Sequence, residues 1–239
     1  MPRSATRLNA PDELIVAVQP GSTTTALVYP ADHDAVGAVL ILAHGAGAGQ
    51  NSPWMIRFAQ ALSALGVDTV TFNFLYTEQR RRFPDRRPLL DACYRAVIES
   101  VRQHLDVATR SLFIGGKSMG GRIATHLAAE DRDLPVDGLV LLGYPLHPPG
   151  RPADRRDAHL PAVGRPMIVV QGGRDAFGTP LELMPVLDTM TPRPTLHVVE
   201  GGDHSFKATK DAARQTALFD NAHRAIVEWI RAHGSTSSP

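Results

Sequence analysis

The chain has 239 residues, 43% of them apolar, and a formal net charge of only +1. This composition excludes a disordered chain and gives no electrostatic reason to expect nucleic acid or an anionic membrane as partner. Its longest apolar run, residues 35–43, is far shorter than the ~20 residues of a membrane helix. Cys93 is the only cysteine, which suits a reducing compartment. We therefore expect a cytoplasmic protein in which Cys93 is a buried structural thiol.

Short β-branched runs alternate with longer segments of helical periodicity. This alternation predicts an α/β fold with a mostly parallel sheet, and the continuous apolarity of the central runs predicts helices on both faces. The predicted strands are Leu14–Val18, Thr24–Tyr29, Ala38–Ala43, Asp68–Phe74, Ser111–Gly115, Gly138–Leu142, Met167–Gln171 and Thr195–Val199. The first two, separated by Pro20 and Gly21, are expected to form an antiparallel pair.

Five segments between these strands have helical periodicity. They are Pro53–Leu65, Pro88–Leu105, Met119–Ala129, Leu181–Met190 and Gln215–His233. Residues 145–166, rich in Pro, Arg and Asp, predict a loop and are too few for a cap domain. We therefore expect residues 1–239 to form a single domain, with a core of about 14–233, no large cap and a disordered tail at 234–239.

The strongest motif is G-x-S-x-G, formed by Gly116, Ser118 and Gly120 between an apolar strand and a helical segment. In that context the pattern predicts a sharp strand-to-helix turn that presents a nucleophilic serine. Residues without a Cβ are needed on both sides because the turn brings the backbone close to its neighbours. The alternative is a flexible glycine turn with a solvated serine. The context favours Ser118 as the nucleophile.

A nucleophilic serine needs a base, and the base needs an orienting acid. Strand-like runs followed by glycine-rich turns lead to Asp175 and to His204, which gives the chain order Ser, acid, His that accompanies a G-x-S-x-G turn of this kind. Asp203 is a rival acid, but a residue adjacent to His204 rarely reaches its ring. Of the other histidines, His197 is expected to be a strand residue, and two on the last helix, His223 and His233, are expected to be solvated.

The loop of residues 44–49, His-Gly-Ala-Gly-Ala-Gly, follows a predicted strand. Such a loop supplies one backbone N–H to a developing oxyanion, and the residue after the nucleophile supplies another. We assign these donors to Ala46 and Met119, and expect His44 to brace the loop. Phosphate binding is the alternative for a glycine-rich loop, but no G-x-G-x-x-G or Walker lysine pattern accompanies it. No metal-ligand spacing is present, and no cofactor is required.

Five segments together carry a family resemblance that spans roughly residues 37–232. They are HGAGA at 44–48, GGKSMGGR at 115–122, GYPLHPPG at 143–150, QGGRDAFG at 171–178 and DHSF at 203–206. In these the chain resembles the α/β-hydrolase-like family of testis-expressed protein 30 and the hydrolase-like domain of NSL complex subunit three. It is more distantly similar to dienelactone-hydrolase-type enzymes. The resemblance implies an α/β-hydrolase fold with Ser118, Asp175 and His204 in the triad positions, but no particular substrate.

The motifs predict a serine hydrolase that acts on a small acyl substrate through a covalent acyl-enzyme, as a carboxylesterase or thioesterase does. A peptidase or amidase on the same triad is one alternative. A non-catalytic interaction module is another, because one relative is a subunit of a chromatin-associated complex. The oligomeric state is left open.

Several basic residues near the predicted site are candidate substrate contacts. Lys117 and His147 are expected at the catalytic edge of the sheet, each with a structural role as the alternative. A further group follows the strand that ends near Phe74, where the loop is either solvated or an anion-selecting rim. Its members are Arg80, Arg81, Arg82, Arg86 and Arg87.

Overall fold

The structure is a computed structural model that describes residues 10–31, 34–105 and 107–234. All of the predicted tail except Gly234 lies outside the described residues. Eight strands form one sheet. They are β1 Asp12–Gln19, β2 Ser22–Tyr29, β3 Ala38–Ala43, β4 Asp68–Phe72, β5 Ser111–Lys117, β6 Gly138–Leu142, β7 Met167–Gly172 and β8 Thr195–Val199.

The strands lie in the order β1-β2-β4-β3-β5-β6-β7-β8. The pairs β1–β2 and β2–β4 are antiparallel, and all the other neighbouring strands are parallel. The predicted mostly parallel sheet with an opening antiparallel pair is therefore confirmed. Because β3, β5, β6, β7 and β8 run in one direction, the loops that follow them meet at the same edge of the sheet.

Six α-helices connect or flank the strands in the described part of the chain. They are α1 Pro53–Ala64, α2 Leu75–Glu78, α3 Arg87–His104, α4 Met119–Glu130, α5 Pro180–Leu187 and α6 Ala212–His233. The sequence predicted five of them and missed α2, a single turn that begins directly after Phe74, where the predicted fourth strand was expected to end. The helix α5 begins with a capping box in which Thr179 and Glu182 exchange hydrogen bonds, and it ends before the predicted Met190.

The sheet has a separate apolar layer on each face. Helices α3, α4 and α5 cover one face, and α1 and α6 cover the other. Along β3, Val39 and Ile41 contact the first layer, whereas Leu40 and Leu42 contact the second. This alternation explains the continuous apolar runs of the central strands, since both faces of each strand are buried.

Two side chains of these layers were also subjects of sequence predictions. Cys93 lies on α3 in the first layer and is buried, as expected. His223 on α6 was expected to be solvated, and this expectation was wrong. The ring of His223 is only 5% exposed and packs edge-on against Phe58 of α1, with ring centroids 4.4 Å apart.

Residues 145–166 form the predicted loop between β6 and β7, with one 3-10 turn at Leu160–Ala162. The sheet edge above the strands is therefore not covered by an inserted domain. None of the described helices is long and apolar enough to cross a membrane.

Candidate active site

Ser118 is the single residue between the end of β5 and the start of α4, and it adopts φ +51° and ψ −113°. A side chain in this left-handed region is strained, and such strain is characteristic of functional turns. The flanking glycines are required by contact. A Cβ on Gly116 would lie 2.3 Å from the carbonyl oxygen of Ala43, and one on Gly120 would lie 2.4 Å from the same atom. The sequence pattern therefore folds into the predicted sharp strand-to-helix turn.

The structure brings Ser118 together with the predicted base and acid. His204 Nε2 lies 2.9 Å from Ser118 Oγ, and His204 Nδ1 lies 2.8 Å from Asp175 Oδ2. An ionised carboxylate only accepts hydrogen bonds, so the neutral ring donates from Nδ1 and leaves Nε2 to accept from the serine hydroxyl. The rival acid, Asp203, instead accepts the backbone N–H groups of two residues in its own loop.

Asp175 is 1% exposed, and both of its carboxylate oxygens accept further hydrogen bonds. Its Oδ1 accepts the backbone N–H of Phe177 at 2.8 Å, and its Oδ2 also accepts from Gln171 Nε2 at 3.0 Å. The ring of Phe177 lies against the ring of His204, with centroids 4.2 Å apart. Both the carboxylate and the imidazole are thus fixed in orientation before any substrate arrives.

The glycine-rich loop after β3 approaches Ser118 closely. A Cβ on Gly45 would lie 3.6 Å from the Cβ of Ser118. The peptide that follows is held by Tyr76, whose hydroxyl donates to the carbonyl oxygen of Ala46 at 3.1 Å. The second predicted donor, Met119, is the first residue of α4, so its N–H has no acceptor within the helix. Both N–H groups therefore belong to backbone that borders the nucleophile.

His44 braces this loop, as expected. It is fully buried, its Nε2 accepts the backbone N–H of Phe74 at 3.1 Å, and its Nδ1 lies 2.7 Å from the carbonyl oxygen of Gly45. Burial lowers the pKa of His44 to about 4. The ring is therefore neutral at physiological pH, with the proton on Nδ1, which satisfies both contacts at once.

The cavity beside Ser118 has a volume of about 590 Å³, which is within the range of small-molecule sites. Its larger apolar side chains are Trp54, Met55, Leu90, Met119, Ile123 and Phe177. Among the described residues, no group of three or more His, Cys, Asp or Glu side chains is arranged to hold a metal ion.

Residues 36–231 match the family model described as an alpha/beta hydrolase domain. The chain belongs to this family. The match covers most of the eight-stranded sheet and all six helices described above. It includes the strand-to-helix turn at Ser118 and the loops that carry Asp175 and His204.

Solved structures of three proteins resemble this α/β hydrolase over nearly its whole length. An alpha-beta serine hydrolase homologue from Coxiella burnetii is 18% identical, with a TM-score of 0.71 over 93% of this chain and 100% of that one. A serine hydrolase without a lid from Xanthomonas campestris is 21% identical, with a TM-score of 0.71 over 97% of this chain and 98% of that one. A dienelactone hydrolase from Anabaena variabilis is 22% identical, with a TM-score of 0.69 over 94% and 99%. At these identities the likeness shows the fold alone.

The two predicted substrate contacts of this α/β hydrolase have different positions. Lys117 lines the cavity, but its Nζ donates to the carbonyl oxygen of His204 at 2.6 Å and lies near the faces of Trp54 and Phe206. Burial lowers its pKa to about 8. His147 is not among the described residues that line the cavity. Its Nε2 lies 3.2 Å from Glu182, so it joins the β6–β7 loop to α5.

The predicted arginine group divides in a similar way. Arg80, Arg81, Arg82 and Arg86 are exposed, and Arg81 pairs with Asp85. Of the five, Arg87 alone lines the cavity.

Sequence reasoning missed Gln171, which organises the acid of the site. Besides the Asp175 carboxylate, its amide group contacts the backbone of Tyr144 and of Gly178. It therefore ties the loops after β6 and β7 together. The available signal was a polar residue at the end of an otherwise apolar strand, where an unpaired amide would be costly to bury.

Proposed function

We propose that the protein is a serine hydrolase that cleaves carboxylic esters or thioesters through a covalent acyl-enzyme. The observation that carries this proposal is the pair of hydrogen bonds, 2.9 and 2.8 Å long, that join Ser118 to His204 and His204 to Asp175. The three side chains come from loops after three different strands. Packing alone gives no reason for them to share one proton path, whereas nucleophilic catalysis requires it.

In the proposed first half-reaction, Ser118 Oγ attacks the acyl carbonyl carbon while its proton passes to His204 Nε2. Asp175 stabilises the imidazolium at Nδ1, and the oxyanion accepts hydrogen bonds from the N–H groups of Ala46 and Met119. One such donor contributes about 3 kcal/mol to the transition state. The intermediate then collapses, Nε2 gives the proton to the leaving alkoxide or thiolate, and Ser118 remains acylated.

In the second half-reaction, water replaces the alcohol. His204 Nε2 takes a proton from the attacking water, and the same two N–H groups stabilise the second oxyanion. Collapse expels Ser118 Oγ, which receives the proton, so that the free acid leaves and the hydroxyl is restored. No step requires a metal ion or a cofactor.

The proposed substrate is a small acyl compound that fits the cavity. Cleavage of amides on the same three residues is an alternative that follows from the same chemistry. Three predictions rest on the sequence alone. They are the closer relationship to testis-expressed protein 30 and NSL complex subunit three, the single-domain organisation of residues 1–239 and the cytoplasmic location.

An active-site-directed fluorophosphonate tests the proposal directly. We expect it to label the wild-type protein at Ser118 and to leave Ser118→Ala unlabelled. Ser205→Ala is the matched control. Ser205 also lines the cavity, but within the described residues His204 Nε2 pairs with the hydroxyl of Ser118 and not with that of Ser205. Labelling and hydrolysis of p-nitrophenyl butyrate should be lost together in Ser118→Ala only.

A folded wild-type protein that the probe does not label would overturn the proposal. The non-catalytic interaction module would then be the better interpretation of the same fold. Labelling without ester hydrolysis would direct the search to amide and thioester substrates, which a panel of p-nitroanilides and acyl thioesters separates.

A further inference from the structure

The cavity beside Ser118 carries more positive charge than the proposed acyl transfer needs. Three guanidinium groups line it, from Arg87, Arg122 and Arg156. Arg122 lies on α4 one helical turn after the nucleophile, and its N–H donates to the carbonyl oxygen of Ser118 at 3.1 Å. Four residues of helix correspond to about 6 Å along the axis. Residues four apart lie on the same face of a helix, and both Arg122 and Ser118 line the cavity.

Arg87 already has counter-charges. Its guanidinium forms two hydrogen bonds with the Glu130 carboxylate, at 2.6 and 3.0 Å, and its Nε lies 3.7 Å from Asp91. By contrast, neither Arg122 nor Arg156 has an ion pair or a side-chain hydrogen bond to any described residue. Arg122 Nε is completely shielded from solvent and has no hydrogen-bonding partner among the described residues. Two of the three arginines thus form no ion pair with any described residue.

The described lining of the cavity offers Arg122 and Arg156 no free carboxylate. Asp85 is the one carboxylate among the described residues that line the cavity, and it is occupied by Arg81 and by the N–H of Tyr76. Asp91 is not among the described residues that line the cavity, but its charge attracts Arg122 without an ion pair between them. Burial raises the pKa of Asp91, and its Oδ1 is buried with no hydrogen-bonding partner in the described part of the chain. The pKa of Arg122 is lowered first by burial and then by repulsion from Arg156, whereas Tyr144 and Asp91 raise it. Arg122 and Arg156 line the same cavity.

Burying the Nε of Arg122 without a hydrogen-bonding partner is costly unless an anion completes the site. An oxyacid accepts hydrogen bonds from guanidinium groups in fixed, often bidentate geometry. The backbone also directs Arg156 to this position, because its N–H donates to the carbonyl oxygen of Leu146 and its carbonyl accepts from Tyr144 Oη. The β6–β7 loop therefore folds back and presents Arg156 to the cavity.

We propose that the cavity selects esters that carry an anionic oxyacid group, held by Arg122 and Arg156 while the ester carbonyl meets Ser118. The group is a carboxylate or a phosphate, which share the acceptor chemistry that the two guanidinium groups match. This inference rests on the proposed hydrolase function for its substrate class, but the anion site itself is testable without turnover. The sequence left the Arg80–Arg87 segment open as either a solvated loop or an anion-selecting rim, and this proposal assigns anion selection to two other arginines.

The first experiment compares two p-nitrophenyl esters, the half-ester of glutaric acid and the neutral hexanoate. We expect wild type to prefer the glutarate by kcat/KM. Arg122→Gln and Arg156→Gln should each lower the glutarate-to-hexanoate ratio about tenfold to a hundredfold, mainly through KM, the range for a charged hydrogen bond. Arg151→Gln is the matched control, because Arg151 is an exposed arginine of the same loop that pairs with Asp154. Its ratio should equal that of wild type.

The second experiment measures binding without catalysis. In Ser118→Ala, glutarate or propyl phosphate should raise Tm, and the added Arg156→Gln substitution should abolish the rise. The anion with the larger effect identifies the preferred oxyacid. If Arg122→Gln does not fold, Arg122→Lys, which keeps the charge and loses the planar fork, serves in both assays.

The outcomes separate the two proposals. A glutarate-to-hexanoate ratio that both variants leave unchanged, with neutral ester hydrolysis and Ser118 labelling intact, would overturn the anion site and leave the hydrolase standing. The opposite result is a protein that neither hydrolyses esters nor reacts with the fluorophosphonate, but whose Tm still rises with the anion in an arginine-dependent way. It would support the anion site and overturn the hydrolase function. Absence of both the rise in Tm and the substrate preference would reject the anion site.

Discussion

Acid should destabilise this protein in part through His223, and the environment of that ring sets the size of the effect. His223 is 5% exposed, lies between Phe58 and Phe219, and has no hydrogen-bonding partner for either ring nitrogen among the described residues. Burial lowers its pKa from 6.5 to about 4. The folded protein therefore keeps the ring neutral at pH values where the unfolded chain binds a proton.

The direction and the magnitude follow from this difference. The folded state has its full stability above pH 6.5, and it loses stability as pH falls from 6.5 towards 4, because only the unfolded state takes up the proton. At pH 5, about 1.5 pH units below the unfolded pKa, the unfolded chain has bound a proton that the folded chain lacks. At about 1.36 kcal/mol per unit, this lowers the free energy of unfolding by about 2 kcal/mol.

Replacing His223 by Leu removes the titrating group and retains apolar volume. Urea unfolding at pH 7 and pH 5 should show that wild type loses about 2 kcal/mol more than His223→Leu between the two pH values. The variant should keep some acid sensitivity from the similarly buried His44. His104→Gln, at an exposed position on α3, should lose as much as wild type. Equal losses in wild type and His223→Leu would refute the reasoning.

Three further changes test the site and its support. Asp175→Asn should lower kcat for a neutral p-nitrophenyl ester about ten-thousandfold, because an amide no longer holds the imidazole in the required tautomer. Gly120→Ala should cost about 3 kcal/mol or more in urea unfolding, since its Cβ would lie 2.4 Å from the carbonyl oxygen of Ala43. Tyr94→Phe should cost about 1–3 kcal/mol and lower Tm, because the lost hydroxyl serves buried backbone groups of β3 and β5.

Each of these changes has its own control. Asp203→Asn should retain activity near wild type, and a large loss there would point to the rival acid. Gly47→Ala should leave stability within about 0.5 kcal/mol, because a Cβ added at Gly47 would have no neighbour within 4 Å among the described residues. If Gly120→Ala does not lower stability, the strand-to-helix turn at Ser118 can relax to accept the added Cβ. Circular dichroism of Tyr94→Phe should match wild type, so that the change in Tm reports the hydrogen bonds alone.

The parts of the fold that the sequence predicted correctly are those encoded by local patterns. Continuous apolar runs indicated central strands buried on both faces, and β3 is buried at every position. Each of Ser118, Asp175 and His204 follows a predicted parallel strand. The sequence therefore placed all three at one edge of the sheet. Their hydrogen bonds are a consequence of sheet order, with β5, β6, β7 and β8 as successive neighbours.

The features that the sequence did not predict depend on tertiary contact or on very short signals. The helix α2 is one turn long, too short for any periodicity to appear. Arg156 lies in a loop whose path is fixed by contacts with Leu146 and Tyr144. His223, however, carried a readable signal. It lies four residues after Phe219 and three before Ile226, which is the spacing of a buried helical stripe.

The supports of the candidate nucleophile, base and acid have a consequence for redesign. Ser118, His204 and Asp175 follow β5, β8 and β7, whereas Arg156 belongs to the β6–β7 loop and Arg87 begins α3. Of the two arginines proposed to hold an anion, Arg156 thus lies on a segment apart from the three candidate catalytic residues, whereas Arg122 lies on α4 directly after Ser118. Grafting a different 145–166 segment should change which compounds are accepted while the serine keeps its proton path.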